Sequence, residues 1–175
     1  MSTWKIDPAH TDVSFSAKHM MVTSVHGKFT QVEGELELRE DDPTASRGEL
    51  RIAAASMATG VEQRDDHLRS ADFLDVANHP TVVARVAKIE QTGDGYRVTA
   101  HATIRGVTQP IVFDAEFLGI FTGMQGGRRV GFHLSGVLAR KDWGLNWNMA
   151  LEAGGWLVSD EVQLDVEIAA DEVAG

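Results

Sequence analysis

Apolar and polar residues alternate with a period of two through most of this chain. Val32, Gly34, Leu36 and Leu38 alternate with Glu33, Glu35, Glu37 and Arg39, which is how a strand reads when one face is buried and the other wet. The same alternation runs through Val13-Phe15-Ala17, Leu50-Ile52, Val82-Ala84-Val86 and Tyr96-Val98-Ala100-Ala102-Ile104. It returns in Ile111-Phe113-Ala115-Phe117, Val130-Phe132-Leu134-Gly136-Leu138 and Val162-Leu164-Val166-Ile168. Gly93-Asp94-Gly95 and Gly126-Gly127 supply the positive-φ residues of hairpins, and Asp41-Asp42-Pro43 and Arg105-Gly106-Val107-Thr108 read as tight connections. About eight strands joined by hairpin-length links predict an antiparallel barrel or sandwich.

One segment departs from the alternation. Val61 to Phe73 is polar and, after Val61, free of β-branched residues, so it reads as a helix of about three turns. Thr59 and Glu62 have the spacing of a capping box. Val61, Arg64, Leu68 and Ala71 share one face of that helix. Inserted between the third and fourth strands, the helix is expected to line or plug one barrel end and to aim Arg64 inward.

Charge intrudes on two of the apolar faces. After Leu138 the next residue on the same register is Arg140, and after Ala17 come His19 and Met21. An unpaired buried charge costs several kcal/mol or more, so such groups are paired, wet or facing a ligand. An apolar interior with a few polar groups at one end is the general form of a binding cavity. The expected inward set is Phe15, Ala17, His19, Met21, Leu36, Val98, Ala100, Phe113, Phe132, Leu134 and Leu138. The small Ala17, Ala100, Ala102 and Gly136 are expected to keep the bore open.

Composition narrows the function. The length of 175 residues suits one domain spanning 1–175. A net charge of −10, with no basic cluster, disfavours nucleic acid. Cysteine is absent, which excludes disulfides, thiolate catalysis and zinc-thiolate sites. The seven histidines show no HxH, HxxxH or HExxH pairing, and no nucleotide or serine-hydrolase motif is present. Neither a metal nor a cofactor is expected. The opening Met1–Asp7 lacks a basic n-region and an apolar h-region, and no run approaches the ~18 apolar residues of a membrane span. A cytoplasmic location without stable membrane insertion is the expectation.

The motifs then assemble into a pattern. Trp4-Lys5-Ile6-Asp7-Pro8-Ala9-His10, followed by Val13-Ser14-Phe15 and Lys18-His19, resembles the opening of YceI-like proteins, the polyisoprenoid-binding, lipocalin-like family. Arg64-Asp65-Asp66-His67-Leu68 with Ser70-Ala71-Asp72-Phe73 is similar to that family's R-D-x-H-L signature. Thr103 to Pro110 resembles its central strand-turn motif and Ser159-Asp160-Glu161-Val162 its last-strand motif. Thr11 stands where the family usually has Ser, Gln109 where it has Lys, and the stretch after Arg140 is unusually aromatic. The resemblance implies an all-β fold: an extended eight-stranded antiparallel lipocalin-like barrel, with one helix between strands 3 and 4. It implies a non-catalytic protein that binds, stores or transports a long isoprenoid, of polyprenyl or quinone type, in its pore.

The residues leave several roles open. His19 reads equally as a satisfied core histidine and as a group facing ligand. Arg140 reads as a wall ion pair with Asp142 or as a donor to a ligand head, for which a guanidinium's rigid fork is suited. Arg64 and His67 either pin the helix, with Arg64 paired to Asp65 or a wall acid, or touch the ligand. Trp143 and Trp147 rim a cavity or cover the barrel end. The rival function is a hydrolase or isomerase acting on an apolar substrate with His19 or His67 as base. A third is a filled barrel serving as a structural or stress module. A closed barrel has no free edge, so a homodimer would pack through faces or ends.

Overall fold

The computed structural model describes residues 1–149 and 157–175. Its strands are β1 (Ser2–Ile6), β2 (Asp12–His19), β3 (Thr23–Phe29), β4 (Val32–Leu38), β5 (Arg47–Ala53), β6 (Met57–Ala58), β7 (Thr81–Gln91), β8 (Tyr96–Ile104), β9 (Val107–Thr122), β10 (Arg128–Ala139) and β11 (Glu161–Glu172). They form one antiparallel sheet that closes on itself because β11 pairs with both β10 and β1.

Eight positions around the ring follow from the register. β1 and β2 sit in line along β11, Trp4 opposite Glu172 and Val13 opposite Val166. β3 and β4 continue one another in the same way, β3 against β2 and β4 against β1. β5 and β6 pair with β4 and β3 in turn. Pro8 starts the 3-10 turn Pro8–His10 that breaks the first of these long strands, as expected of a residue that cannot donate to the ladder. Strands β1 and β3 and the two-residue β6 escape the sequence reading. In β3, Gly27 takes the place of a side chain opposite Phe15. A Cβ there would lie 2.4 Å from the Phe15 ring.

The helix α1 (Glu62–Arg69) falls after the third of these long strands, between β6 and β7. It is shorter than the expected Val61–Phe73 and its N-cap is Val61, with no side-chain cap. The capping-box reading fails because Thr59 is engaged by Asp65: the Thr59 amide donates to Asp65 Oδ1 at 2.9 Å and its hydroxyl donates to the same oxygen. Asp65 is thereby buried and satisfied.

Two clusters fill the interior. One contains Val13, Val32, Ile52, Val98, Ala100, Ala102, Phe113, Leu138, Trp143 and Val166. The other joins Trp4, Ile6, Val130 and Ala170 at the closing seam, where Trp4, Val130 and Ala170 are wholly inaccessible. Arg128 lies over the Trp4 ring at 5.3 Å and its guanidinium donates to Glu172 and Glu40. Among the described residues no helix is long and apolar enough to cross a membrane.

Candidate binding cavities

Among the described residues, two cavities of the barrel have linings that share no residue. The first, about 400 Å³, is lined by Leu36, Leu38, Val86, Ile89, Tyr96, Val98, Ala115, Phe117, Ile120, Phe132, Leu134 and Ile168. Besides Tyr96, the polar lining residues come from the β4–β5 connection and the first residue of β5, namely Arg39, Glu40, Ser46 and Arg47. Two of these charges are compensated, Glu40 by Arg128 and Arg39 by Asp41. Leu36, Ile120, Phe132 and Ile168 also pack on the Trp4 cluster, so the seam supports one wall of this cavity.

Strand periodicity explains most of that lining, and two bulges explain the rest. β7 shifts register between Val86 and Lys88, and the β9–β10 pair shifts where Gly131 faces Gly119 while Phe132 faces Phe117. An extra residue in one strand flips the side-chain parity beyond it. Ile89 therefore shares a face with Val86, and Ile120 with Phe117, positions that an unbroken alternation places outside. The signal that marks the second bulge is Gly119, at φ 123°.

The second cavity, about 600 Å³, lies beneath α1. Phe15, Ala17, Lys18 and His19 of β2 and Val25 of β3 form one side. Val61, Gln63, Arg64, His67, Leu68 and Phe73 form another, and Trp147, Leu157 and Val158 the third. Among the described residues Arg64 pairs with neither Asp65 nor a wall acid. Its Nε donates to the Thr59 hydroxyl at 2.7 Å and an Nη donates to the Thr59 carbonyl at 2.9 Å. The ring of His67 stands edge-on to Trp147 at 4.5 Å and to Phe73 at 5.2 Å. Its Nε2 pairs with Asp72 at 2.9 Å. Lys18, His19, Arg64 and His67 thus contribute to this lining, and no described lining residue is a carboxylate.

The expected site residues divide accordingly. Leu36, Val98, Phe132 and Leu134 meet in the first cavity; Phe15, Ala17, His19, Arg64 and His67 meet in the second. Ala100, Phe113, Leu138 and Trp143 line neither; they belong to the packed cluster that comes between the cavities along the strands. Small residues therefore do not leave a continuous bore. A Cβ at Gly136 would meet Phe113 at 2.9 Å and the Val112 carbonyl at 3.0 Å, so the gap is already filled by an aromatic ring. Met21 is not inward: β2 ends at His19, the chain reverses, and Met21 stands 66% exposed in the turn.

Arg140 corrects the head-group expectation. β10 ends at Ala139, and Arg140 opens the 3-10 turn Arg140–Trp143 at 3% exposure. Its Nε donates to the Ser159 carbonyl at 2.8 Å, Nη1 to the Leu145 and Trp147 carbonyls, and Nη2 weakly to that of Val158. Desolvation lowers its pKa and the nearby Asp160 opposes that shift. With its donors so engaged, the guanidinium is a staple holding two irregular segments under the barrel end. Trp143 assists: its indole N–H donates to the Ala102 carbonyl at 2.9 Å. Among the described residues no three His, Asp or Glu side chains are placed to hold a metal ion.

Comparison with known proteins places this geometry. The family model of the YceI-like domain matches residues 4–170. A UPF0312 protein of Staphylococcus epidermidis is 33% identical over 166 residues, covering 94% of this chain and 95% of that one. The crystal structure of Burkholderia cenocepacia BcnA has the same fold, with a TM-score of 0.80 at 20% identity over 94% of this chain and 98% of that one. A polyisoprenoid binding domain from Saccharophagus degradans aligns at a TM-score of 0.70 and 15% identity, over 99% and 100% of the two chains.

Proposed function

The chain belongs to the YceI-like domain family, and from that premise we propose that it is a non-catalytic carrier or store of a long isoprenoid lipid, polyprenyl or quinone-type, with the hydrocarbon in the first cavity. The observation that carries this reading is the lining itself: side chains from six strands present an almost wholly apolar wall, with charge confined to the connection at one side. Branched hydrocarbon buried there gains about 25 cal/mol per Å² of apolar area, while the few polar groups orient one end. The relation in fold to a polyisoprenoid binding domain supports the same ligand class.

The enzyme reading meets an obstacle at its own bases. His67 is paired with Asp72 and packed on two aromatic rings, and no described serine, threonine or carboxylate lines that cavity to act as nucleophile or acid. Native mass spectrometry of protein purified from cells is expected to show a retained lipid, displaced by added isoprenoid and recovered chemically unchanged after incubation. An empty protein that takes up no isoprenoid refutes the carrier; time-dependent conversion that disappears in His67→Ala replaces it with the enzyme.

A further inference from the structure

The turn between β2 and β3 spends a demanding backbone conformation on two long apolar side chains. The Val22 amide donates to the His19 carbonyl at 3.2 Å, and the two residues between them, Met20 and Met21, have φ of 52° and 64°. Positive φ at both central positions is the requirement of a type I′ turn, met most readily by Asn-Gly. The same molecule builds another turn with two successive positive φ values from Arg105-Gly106, at 51° and 74°. At Met20-Met21 the easier residues are absent, and the tip Met20-Met21-Val22 stands 48%, 66% and 78% exposed. An observed backbone outlier that displays hydrophobic side chains to water points to a surface that something covers.

The tip is tied to the second cavity. The Met20 amide donates to the carbonyl of Leu157, a lining residue, and His19 bridges to Val158. Val61, also a lining residue, and Met149, whose carbonyl accepts from the Leu157 amide, are themselves about half exposed. Beside this apolar rim the lining offers the cations Lys18 and Arg64. Of the three helix carboxylates, Asp65 is buried on Thr59, Asp66 pairs with Arg69, and Glu62 lies outside the lining; Asp72, just beyond the helix, is paired with His67. On a chain of net charge −10, the described residues form here a local cationic face with an apolar fringe, the combination that binds an anionic bilayer surface.

We propose that the Met20-Met21-Val22 tip, with the cationic mouth beside it, docks the barrel onto anionic lipid bilayers. The role rests on the carrier reading, since it places the protein where a lipid cargo is exchanged. The β9–β10 hairpin also exposes Phe121 and Met124, but Arg128 and Arg129 beside it are committed to Glu40, Glu172, Asp7 and Asp171.

The test is co-sedimentation of the whole protein with vesicles of phosphatidylcholine, alone or mixed with phosphatidylglycerol. Wild type is expected to bind the mixed vesicles better, and less well as salt rises. Met20→Asn combined with Met21→Gly keeps the turn and makes it easier to form, so the melting temperature holds or rises while vesicle partitioning falls at least about tenfold. Val22→Ser lowers partitioning without touching the turn's central residues, and Met124→Ser leaves it unchanged. Absence of wild-type binding, equal binding to both vesicles, or undiminished binding of the double variant and Val22→Ser overturns the proposal; a variant-dependent change of oligomeric state without vesicle binding assigns the tip to a second copy instead. Uptake of geranylgeraniol from detergent solution separates the two readings, because failure there counts against the carrier and leaves the vesicle result standing.

Discussion

The cavity beside the β4–β5 connection and the cavity beneath α1 are enclosed by one sheet, yet they are made in different ways. The first is built almost entirely from regular strands, and its walls are the inward faces of β4, β7, β8, β9, β10 and β11. The second uses strands on one side only; its remaining walls come from a two-turn helix and from irregular chain around Trp147 and Val158. Regular strands satisfy their own backbone groups, so the first cavity needs no polar scaffolding. Irregular chain does not, and the second cavity is surrounded by side chains assigned to backbone: Arg140 on four carbonyls, Arg64 on Thr59, Arg69 on the carbonyls of Ala55 and Met57. Apolar selectivity is thus a property of the sheet, and polar character arises where the sheet runs out.

The greatest disruption of that contrast is expected from Arg140→Met, which keeps much of the side-chain length but removes every donor. Buried carbonyls left without partners cost about 1–3 kcal/mol each, so a loss of roughly 2–5 kcal/mol in urea unfolding is expected. Hydrogen exchange should rise around Val158 and Ser159 while β9 and β10 stay protected near the first cavity. Unchanged stability would show that the staple is dispensable.

A matched pair of cavity-filling variants sharpens the comparison. Ala115 lines the first cavity and Ala17 the second. Ala115→Phe should weaken isoprenoid binding at least about tenfold, equivalent to 1.4 kcal/mol, whereas Ala17→Phe should leave it nearly intact, both read by titration with a fluorescent isoprenoid. The reverse ranking moves the hydrocarbon into the cavity beneath α1.

Acid gives the smallest effect and also discriminates between the ends. The His10 hydrogen bond, with Arg129 adding to it, holds the Asp7 carboxyl below the usual range, and Arg128 does the same for Glu172. A carboxylate whose pKa is lowered on folding contributes stability above its unfolded value, and that contribution is lost as pH falls through the folded one. Both groups stitch the seam of β1, β10 and β11. Below about pH 4, hydrogen exchange should rise in β1 before it rises in α1. Both side chains are partly exposed and salt screens them, so the shift should be modest and shrink in high salt.

The same difference governs how much could be read before the fold was seen. The alternation of Val98, Phe132 and Leu134 announces walls of the first cavity, since strand periodicity reports directly on which side faces in. It fails at Ile89 and Ile120 because a bulge reverses parity at each, and of the two only the second is marked by a glycine, Gly119. The second cavity is legible only as chemistry: Arg64 and His67 stand on one helical face, and His19 follows an apolar register. Their convergence depends on where irregular chain passes, and no period encodes that. Arg140 misleads for the same reason. Its place in the alternation holds only while the strand continues, and the strand stops one residue earlier.

The pairing of β1 with β11 joins segments more than 160 residues apart along the chain, Trp4 opposite Glu172. During synthesis every ring pairing that does not involve β11 is available before the last strand leaves the ribosome, but the ring stays open until β11 emerges to meet β10, β1 and β2. Until then β10 and the paired β1 and β2 present unsatisfied edges, and Val130 has yet to meet Ala170. A nascent chain paused before β11 is therefore an open sheet whose first cavity lacks the wall that Ile168 supplies, which makes the final dozen residues of the barrel the point at which unpaired edges and exposed apolar surface are withdrawn from aggregation.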